Sequence, residues 1–416
     1  MSFEFYLWLL VQGGVLAALL AVNRVSFKSG ARLFSPISWF VLFYALAFWL
    51  PQVFLPAFDF TMIGAYNVVE NQQVARAVAT QHALIAFLVP VALGFALTGR
   101  RTPATLALRQ LRGRELRVGV VLGVIGLGAV GAMLVSLDPN SMRSILVAST
   151  PGKILYALSF WLTLGYMITA AWLIRKRRYT LLLIVTGLFA VALLPLGGRG
   201  RILWPIAGLV AWASVSGYAR IRLWKLLTAA VVLGVVLQSL DPILLYYKGY
   251  DTADQAIDRF LTGLDLQTFL FARNFDSLHN LAVIVVEDRV PTSFWYLLNN
   301  SQAAFMNAYF PSVAWNGVGY PATLPGGLWL SGRWVTLIGG GVFFGLFLGL
   351  LSRAYRRINS ELGLIAYCIA MPWLCHVGIS YLDSYVKMAA LILPGVTLAW
   401  LLGSRRRNPS PVLRSA

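Results

Sequence analysis

Long apolar runs recur along the whole chain, and they limit the possible folds more strongly than any other feature of the sequence. Each run is long enough to cross a bilayer, because a helix rises about 1.5 Å per residue and the hydrocarbon core is about 30 Å thick. In lipid the backbone must satisfy its own hydrogen bonds, so such runs form helices. The sequence predicts about eleven membrane helices: 5–22, 36–54, 82–98, 118–136, 154–174, 180–196, 202–217, 226–240, 335–351, 362–380 and 386–402.

The composition agrees with a polytopic membrane protein. Only 12% of the 416 residues are charged and 59% are hydrophobic, whereas about 25% of the residues in a soluble domain are charged. We therefore expect an all-α protein in which residues 1–416 form a single transmembrane domain.

The net charge of +19 would suit a nucleic-acid-binding protein, but the distribution of the basic residues excludes nucleic acid as a partner. Of the 34 Lys and Arg residues, 23 fall in every second gap between the predicted helices or after the last of them, accompanied by only two acids, Glu115 and Glu361. Basic loops resist translocation and bind anionic headgroups. The pattern predicts that the N-terminus is external, the C-terminus is cytoplasmic and membrane lipids are partners.

One connection is far longer than the others. Residues 241–334 lie between the predicted eighth and ninth helices, on the expected external side, and are rich in aromatic residues and leucine. Apolar spacing over 252–286 predicts two or three short helices lying on or dipping into the membrane surface. Prolines and glycines over 294–334 predict ordered but irregular backbone. A connection of this length in a compact protein is usually functional.

A first candidate site lies where the sixth predicted helix ends and the seventh begins, with the sequence Gly197-Gly198-Arg199-Gly200-Arg201. Glycines let backbone N–H groups approach an anion, and the start of a helix carries the positive end of its dipole. Two arginines add guanidinium groups, each of which can bind a phosphate through two parallel hydrogen bonds. The alternative is a tight turn whose arginines reach lipid headgroups.

A second candidate site lies in the long connection, with Arg259 followed by Arg273, Asp276 and His279. On a helix the last three share one face, so Asp276 can contact both neighbours. A carboxylate beside a histidine fixes the imidazole tautomer and raises its basicity. The alternative is a solvated helix face held by salt bridges.

Three stretches resemble the Wzy-type O-antigen and oligosaccharide repeat-unit polymerases. The stretch LPLGGRGRILWP (194–205) is similar to the small-residue and arginine signature that precedes a membrane helix in that family. FARNFDSLHNLAVIV (271–285) resembles the Arg-x-x-Asp segment of its periplasmic loop. YPATLPGGLWLSGRWVTLIGGGVFFGLFLGLL (320–351) resembles the stretch that enters the helix after that loop.

The resemblance implies a GT-C-like glycosyltransferase of the bacterial inner membrane with its active face in the periplasm. Its donor and acceptor would be oligosaccharides linked to undecaprenyl diphosphate, and a chain-length regulator would be a further partner. No cofactor is expected.

For this chemistry we assign the departing diphosphate to Arg199, Arg201 and Arg273, with Arg259 or Arg333 in support and the turn of Gly197, Gly198 and Gly200 offering backbone N–H groups. His279 is the candidate general base, and Asp276 orients it or replaces it. Because the sequence has no dense acidic motif, we expect the reaction to be metal-independent.

Two other functions fit parts of the same pattern. An O-antigen ligase would share the architecture but would transfer the chain to the lipid A core. A transporter or flippase of lipid-linked oligosaccharides should show internal repeats and charged residues in mid-membrane. This chain has one long external connection instead, residues 241–334, which favours the transferase.

Overall fold

The computed structural model describes residues 3–26, 33–54, 62–63, 66–67, 78–98, 108–111, 113–136, 150–194, 199–219, 252–262, 273–287, 305, 309 and 323–380. Apart from one two-stranded antiparallel ribbon, β1 (Met62–Ile63) and β2 (Tyr66–Asn67), the regular structure in these ranges is helical. The helices are α1 (Phe3–Ser26), α2 (Pro36–Tyr44), a π-helical turn (Ala45–Trp49), α3 (Leu50–Phe54), α4 (Val78–Thr98), α5 (Gly113–Ser136), α6 (Thr150–Arg175), α7 (Tyr179–Leu193), α8 (Arg199–Val215), α9 (Ala253–Thr262), α10 (Arg273–Glu287), α11 (Leu324–Arg356) and α12 (Glu361–Ser380).

Nine of the eleven predicted spans coincide with helices, and the other two, 226–240 and 386–402, lie outside the described residues. Among the described residues six helices are long and apolar enough to cross a membrane. They are Phe3–Asn23, Pro36–Val53, Val78–Thr98, Gly113–Val135, Ile154–Arg175 and Leu324–Arg356. Shorter apolar helices cover Tyr179–Leu193, Arg201–Val215 and Glu361–Pro372. The chain is thus an all-α membrane protein.

One end of the helix bundle, here called the basic end, collects the described parts of several Arg-rich gaps. Residues 108–111 run between α5, α6 and α12, where the backbone N–H of Leu111 donates to Glu361 and the Arg175 guanidinium donates to the carbonyl of Leu111. The Tyr218 hydroxyl also donates to Glu361. Burial and this carboxylate raise the pKa of the Tyr218 phenol, so it stays a neutral donor. The two acids of this end, Glu115 and Glu361, are buried.

Helices α4 and α11 pack with almost no side chain between them. Gly341, Gly345 and Gly349 recur every fourth residue on α11 and form a ridge that faces α4. A Cβ atom on Gly341 would lie 2.7 Å from the carbonyl oxygen of Phe87, and one on Gly345 would overlap the carbonyl oxygen of Val91. Small residues at such spacing let membrane helices approach backbone to backbone, where dispersion replaces the hydrophobic effect that lipid removes.

Helix α10, from the long connection, is buried within the bundle. It packs against the π-helical turn, α4 and α11, and Ser277, Leu278 and residues 280–285 on it are buried. Two of the two or three short helices predicted for this region are therefore present as α9 and α10, and α10 goes deeper than a surface helix. Helix α9 begins with a capping box, in which Thr252 and Gln255 each accept from the other's backbone N–H.

Helix α11 is broken at Gly332 and Arg333, whose backbone angles are not helical. Its first segment, 324–331, is capped by the Thr323 hydroxyl and folds back on the second, so that a Cβ on Gly340 would meet the Leu328 side chain. The Thr336 hydroxyl donates to the Leu328 carbonyl at the break. The prediction of irregular backbone over 294–334 is therefore wrong for 324–331: a proline at the first turn and an N-cap threonine favour helix there.

The glycine ridge generates a stability prediction. Gly345→Ala should lower the unfolding temperature of the purified protein, because overpacking at such a contact costs about 1–3 kcal/mol. Gly339→Ala is the matched control, since a Cβ at Gly339 meets nothing within 4 Å and alanine favours the helix. Equal unfolding temperatures for the two variants would contradict the described packing of α4 on α11.

Candidate functional site

The candidate site is built around Arg201, in the first turn of α8. Its guanidinium lies between two rings of α6, with Cζ 4.0 Å from the centroid of Tyr156 and 4.3 Å from that of Phe160. Nη1 donates to the Ser159 hydroxyl at 3.2 Å, and that hydroxyl donates in turn to the carbonyl of Tyr156 at 2.7 Å. The three partners occupy one face of α6 because they are one turn apart or less. Since Arg175, at the other end of α6, lies at the basic end, Arg201 lies toward the opposite end of the bundle.

This guanidinium is a buried cation without an anion among the described residues. Arg201 is 6% exposed, and its Nη2 is buried with no hydrogen-bond partner in the described part of the chain. The only ion pair found between described residues joins Arg109 and Glu115. Burying an unpaired charge costs several kcal/mol, and two cation–π contacts return about 0.5–2 kcal/mol each. The balance favours an anion at Nη2.

The start of α8 is shaped to hold Arg201 in this position. Pro205 has no N–H, so it cannot donate to the carbonyl of Arg201 four residues earlier, and its ring loosens the first turn from the rest of the helix. Trp204 packs edge-to-face against Phe43 of α2, with ring centroids 5.0 Å apart. The same helix start orients its backbone N–H groups and the positive end of its dipole toward this end of the bundle.

The other residues of the first candidate site of the sequence analysis, within 197–201, are only partly described. Arg199 and Gly200 form the beginning of α8, but the side chain of Arg199 lies outside the described residues, as do Gly197 and Gly198. The predicted helix start is therefore confirmed, and the anion-binding turn before it stays a prediction. The side chain of Arg201 is buried against α6, which disfavours the alternative in which it reaches headgroups.

The second candidate site of the sequence analysis lies on helices, as the spacing of its residues predicts. Arg273, Asp276 and His279 all belong to α10, whose range is 273–287, and Arg259 belongs to α9. The side chains of these four residues lie outside the described residues, so their approach to Arg201 stays a prediction. Helices α8 and α10 share one neighbour, the second membrane helix: α8 contacts it through Phe43, and α10 contacts it through the π-helical turn.

Arg333 occupies the break of α11 and is exposed. Its φ of 52° is in the left-handed region, which costs a residue with a Cβ about 1–2 kcal/mol. The break is fixed by the Thr336 hydroxyl and by the edge-to-face contact of Trp329 with Trp334, at 4.8 Å. A strained backbone that the surroundings hold in place is a common feature of functional sites.

Sequence reasoning identified Arg201 but missed its partners. Tyr156 and Phe160 are four residues apart with Ser159 beside them, a polar and aromatic face near the start of an otherwise apolar span. That face was a usable signal, although nothing in the sequence paired it with α8. The described part of the chain has no group of three or more His, Cys, Asp or Glu side chains that could hold a metal ion.

Comparisons of the chain with protein-family models, with curated proteins and with solved structures found no match. The geometry at Arg201 is therefore the basis for the functional argument.

The site generates a binding prediction. Sodium pyrophosphate should raise the unfolding temperature of the purified full-length protein, by about 1–2 °C at ten times Kd. The rise should be absent in Arg201→Met, which keeps the length of the side chain but removes the charge. Arg353→Met is the control, because Arg353 donates to the carbonyl of Thr98 at the basic end; it should keep the rise. The same rise in Arg201→Met would show that pyrophosphate binds elsewhere.

Proposed function

We propose that the protein is a membrane glycosyltransferase that polymerises oligosaccharide repeat units carried on undecaprenyl diphosphate at the periplasmic face of the bacterial inner membrane. The observation that carries this proposal is the buried guanidinium of Arg201, which has no anionic partner among the described residues. A lipid-linked sugar diphosphate is an anion that reaches such a site from the membrane. The three stretches that resemble Wzy-type polymerases support the same choice.

The proposal includes an arrangement of the chain in the membrane. The N-terminus is external, the C-terminus is cytoplasmic, about eleven helices cross the bilayer and the helices have a GT-C-like arrangement. The basic end then faces the cytoplasm, as the positive-inside rule requires. Arg201, toward the opposite end, then faces the periplasm, where lipid-linked repeat units are exposed.

The proposed reaction breaks the bond between the sugar C1 and the diphosphate oxygen and forms a bond from C1 to an acceptor hydroxyl oxygen. The electron pair of the broken bond stays on the diphosphate, and the hydroxyl proton passes to His279, which Asp276 orients. Arg201 stabilises the growing negative charge, with Arg199 and Arg273 as further donors. A guanidinium that is already buried and held by Ser159 needs little reorganisation in the transition state.

A lipid-linked oligosaccharide transporter is a second candidate, and one observation favours it. Transporters place broken helices at their substrate sites, and α11 is broken at Gly332 and Arg333. In a transporter the anion at Arg201 would be carried across the membrane without chemical change. A ligase that transfers the chain to a lipid A core would use the same donor diphosphate.

The test is lengthening of a lipid-linked oligosaccharide by the purified protein in detergent. The wild type should form a ladder of products on the lipid carrier, and Arg201→Met should form them at least about a hundredfold more slowly, as loss of a transition-state donor implies. Arg353→Met should match the wild type per folded molecule. No lengthening by the wild type would refute the polymerase, and transfer to a lipid A core alone would identify a ligase.

A further inference from the structure

Three glutamines are fully buried in the bundle: Gln12 on α1, Gln52 on α3 and Gln81 on α4. Gln12 and Gln81 are joined by one hydrogen bond, in which Nε2 of Gln12 donates to Oε1 of Gln81 at 2.9 Å. Oε1 of Gln12 also accepts from the Tyr44 hydroxyl at 3.4 Å. Such a pair holds membrane helices together, so these two glutamines have a structural explanation.

Gln52 is different. Its Nε2 donates to the carbonyl of Phe48 at 2.8 Å, whereas its Oε1 is buried with no hydrogen-bond partner among the described residues. The reversed amide would place its oxygen against the Phe48 carbonyl oxygen, so the hydrogen bond fixes the orientation. A buried acceptor without a donor destabilises a fold, and one that persists calls for an explanation.

The π-helical turn before Gln52 gives it this position. A π turn closes its hydrogen bonds five residues apart and takes one extra residue, and such turns are frequent at functional sites. Through the extra residue, Tyr44, Phe48 and Gln52 come into line on one face, and all three are fully buried. In an uninterrupted α-helix Tyr44 and Gln52 would already lie on the same side, about 80° apart around the axis, and the extra residue of the π turn reduces that offset.

The turn also brings Gln52 next to the helix that carries the proposed base. Both the π-helical turn and α3 contact α10, the helix of Asp276 and His279. Ser277 and Asn280 of α10 are buried polar residues, yet neither donates to Oε1 of Gln52. The unsatisfied acceptor thus lies on an element that packs directly against α10.

We propose that Oε1 of Gln52 accepts a hydrogen bond from a hydroxyl of the oligosaccharide, a sugar-binding assignment that rests on the proposed function. An amide oxygen needs a donor, and an ionised diphosphate has none to offer. A sugar is dense in hydroxyls, and its approach to His279 brings it to α10. Gln52 is then a specificity-determining residue, separate from the arginine that holds the diphosphate.

The test compares Gln52→Met with Gln12→Met. Methionine has a similar volume and no acceptor, so Gln52→Met should keep or raise the unfolding temperature and slow lengthening of the lipid-linked oligosaccharide about tenfold or more. Gln12→Met should lower the unfolding temperature, because it leaves Gln81 without its donor, and should keep the rate per folded molecule. This pair of results separates a ligand contact from a structural role.

Deoxy analogues of the repeat unit identify the hydroxyl. One analogue should be lengthened at equal rates by the wild type and by Gln52→Met, because the hydrogen bond is already absent. A wild-type rate in Gln52→Met with the natural substrate would overturn the role of Gln52 and leave the polymerase standing. A wild type that does not lengthen the substrate would overturn both.

Discussion

The structure depends on one constraint: a chain in lipid must satisfy its backbone hydrogen bonds internally. Regular helices satisfy this constraint, and the glycine ridge of α11 shows how closely two such helices can pack. The interruptions therefore stand out. Among the described residues the helical hydrogen bonding is interrupted at the π-helical turn, at the break of α11, and at three prolines inside helices, Pro90, Pro205 and Pro372. The Thr336 hydroxyl holds the break. The π-helical turn, the break and Pro205 lie on elements that carry or contact the residues to which we assign chemistry.

Electrostatics separates the two ends of the bundle. At the basic end Arg109 pairs with Glu115, Arg175 donates to the carbonyl of Leu111, and Arg353 donates to the carbonyl of Thr98. These interactions give the arginines a structural role, because they join neighbouring segments of the bundle. Toward the other end Arg201 is buried between aromatic rings with one amino group unsatisfied among the described residues. Arg201 differs from these three arginines in that two aromatic rings and Ser159 hold its guanidinium at the end of the bundle opposite the basic end, which is why its charge carries the proposal.

The helices were largely predictable because membrane spans are encoded locally, in apolar length. Nine predicted spans coincide with described helices. The start of α8 at Arg199 was indicated by the glycines that precede it in the sequence. What the sequence could not provide was contact between distant segments. The cradle of Tyr156 and Phe160 around Arg201 joins α6 to α8 across forty residues or more. Helix α10 is buried partly against a π turn more than two hundred residues earlier in the chain, a contact between distant segments of the same kind.

The most direct measurement is an experimental structure of the full chain bound to an undecaprenyl-diphosphate-linked oligosaccharide. We expect a phosphate oxygen within hydrogen-bonding distance of Nη2 of Arg201, with the ring contacts of Tyr156 and Phe160 retained. A carboxylate of the chain itself paired with Arg201, and the diphosphate bound elsewhere, would contradict this expectation. The buried guanidinium would then be a structural ion pair, and the enzyme assignment would lose its basis.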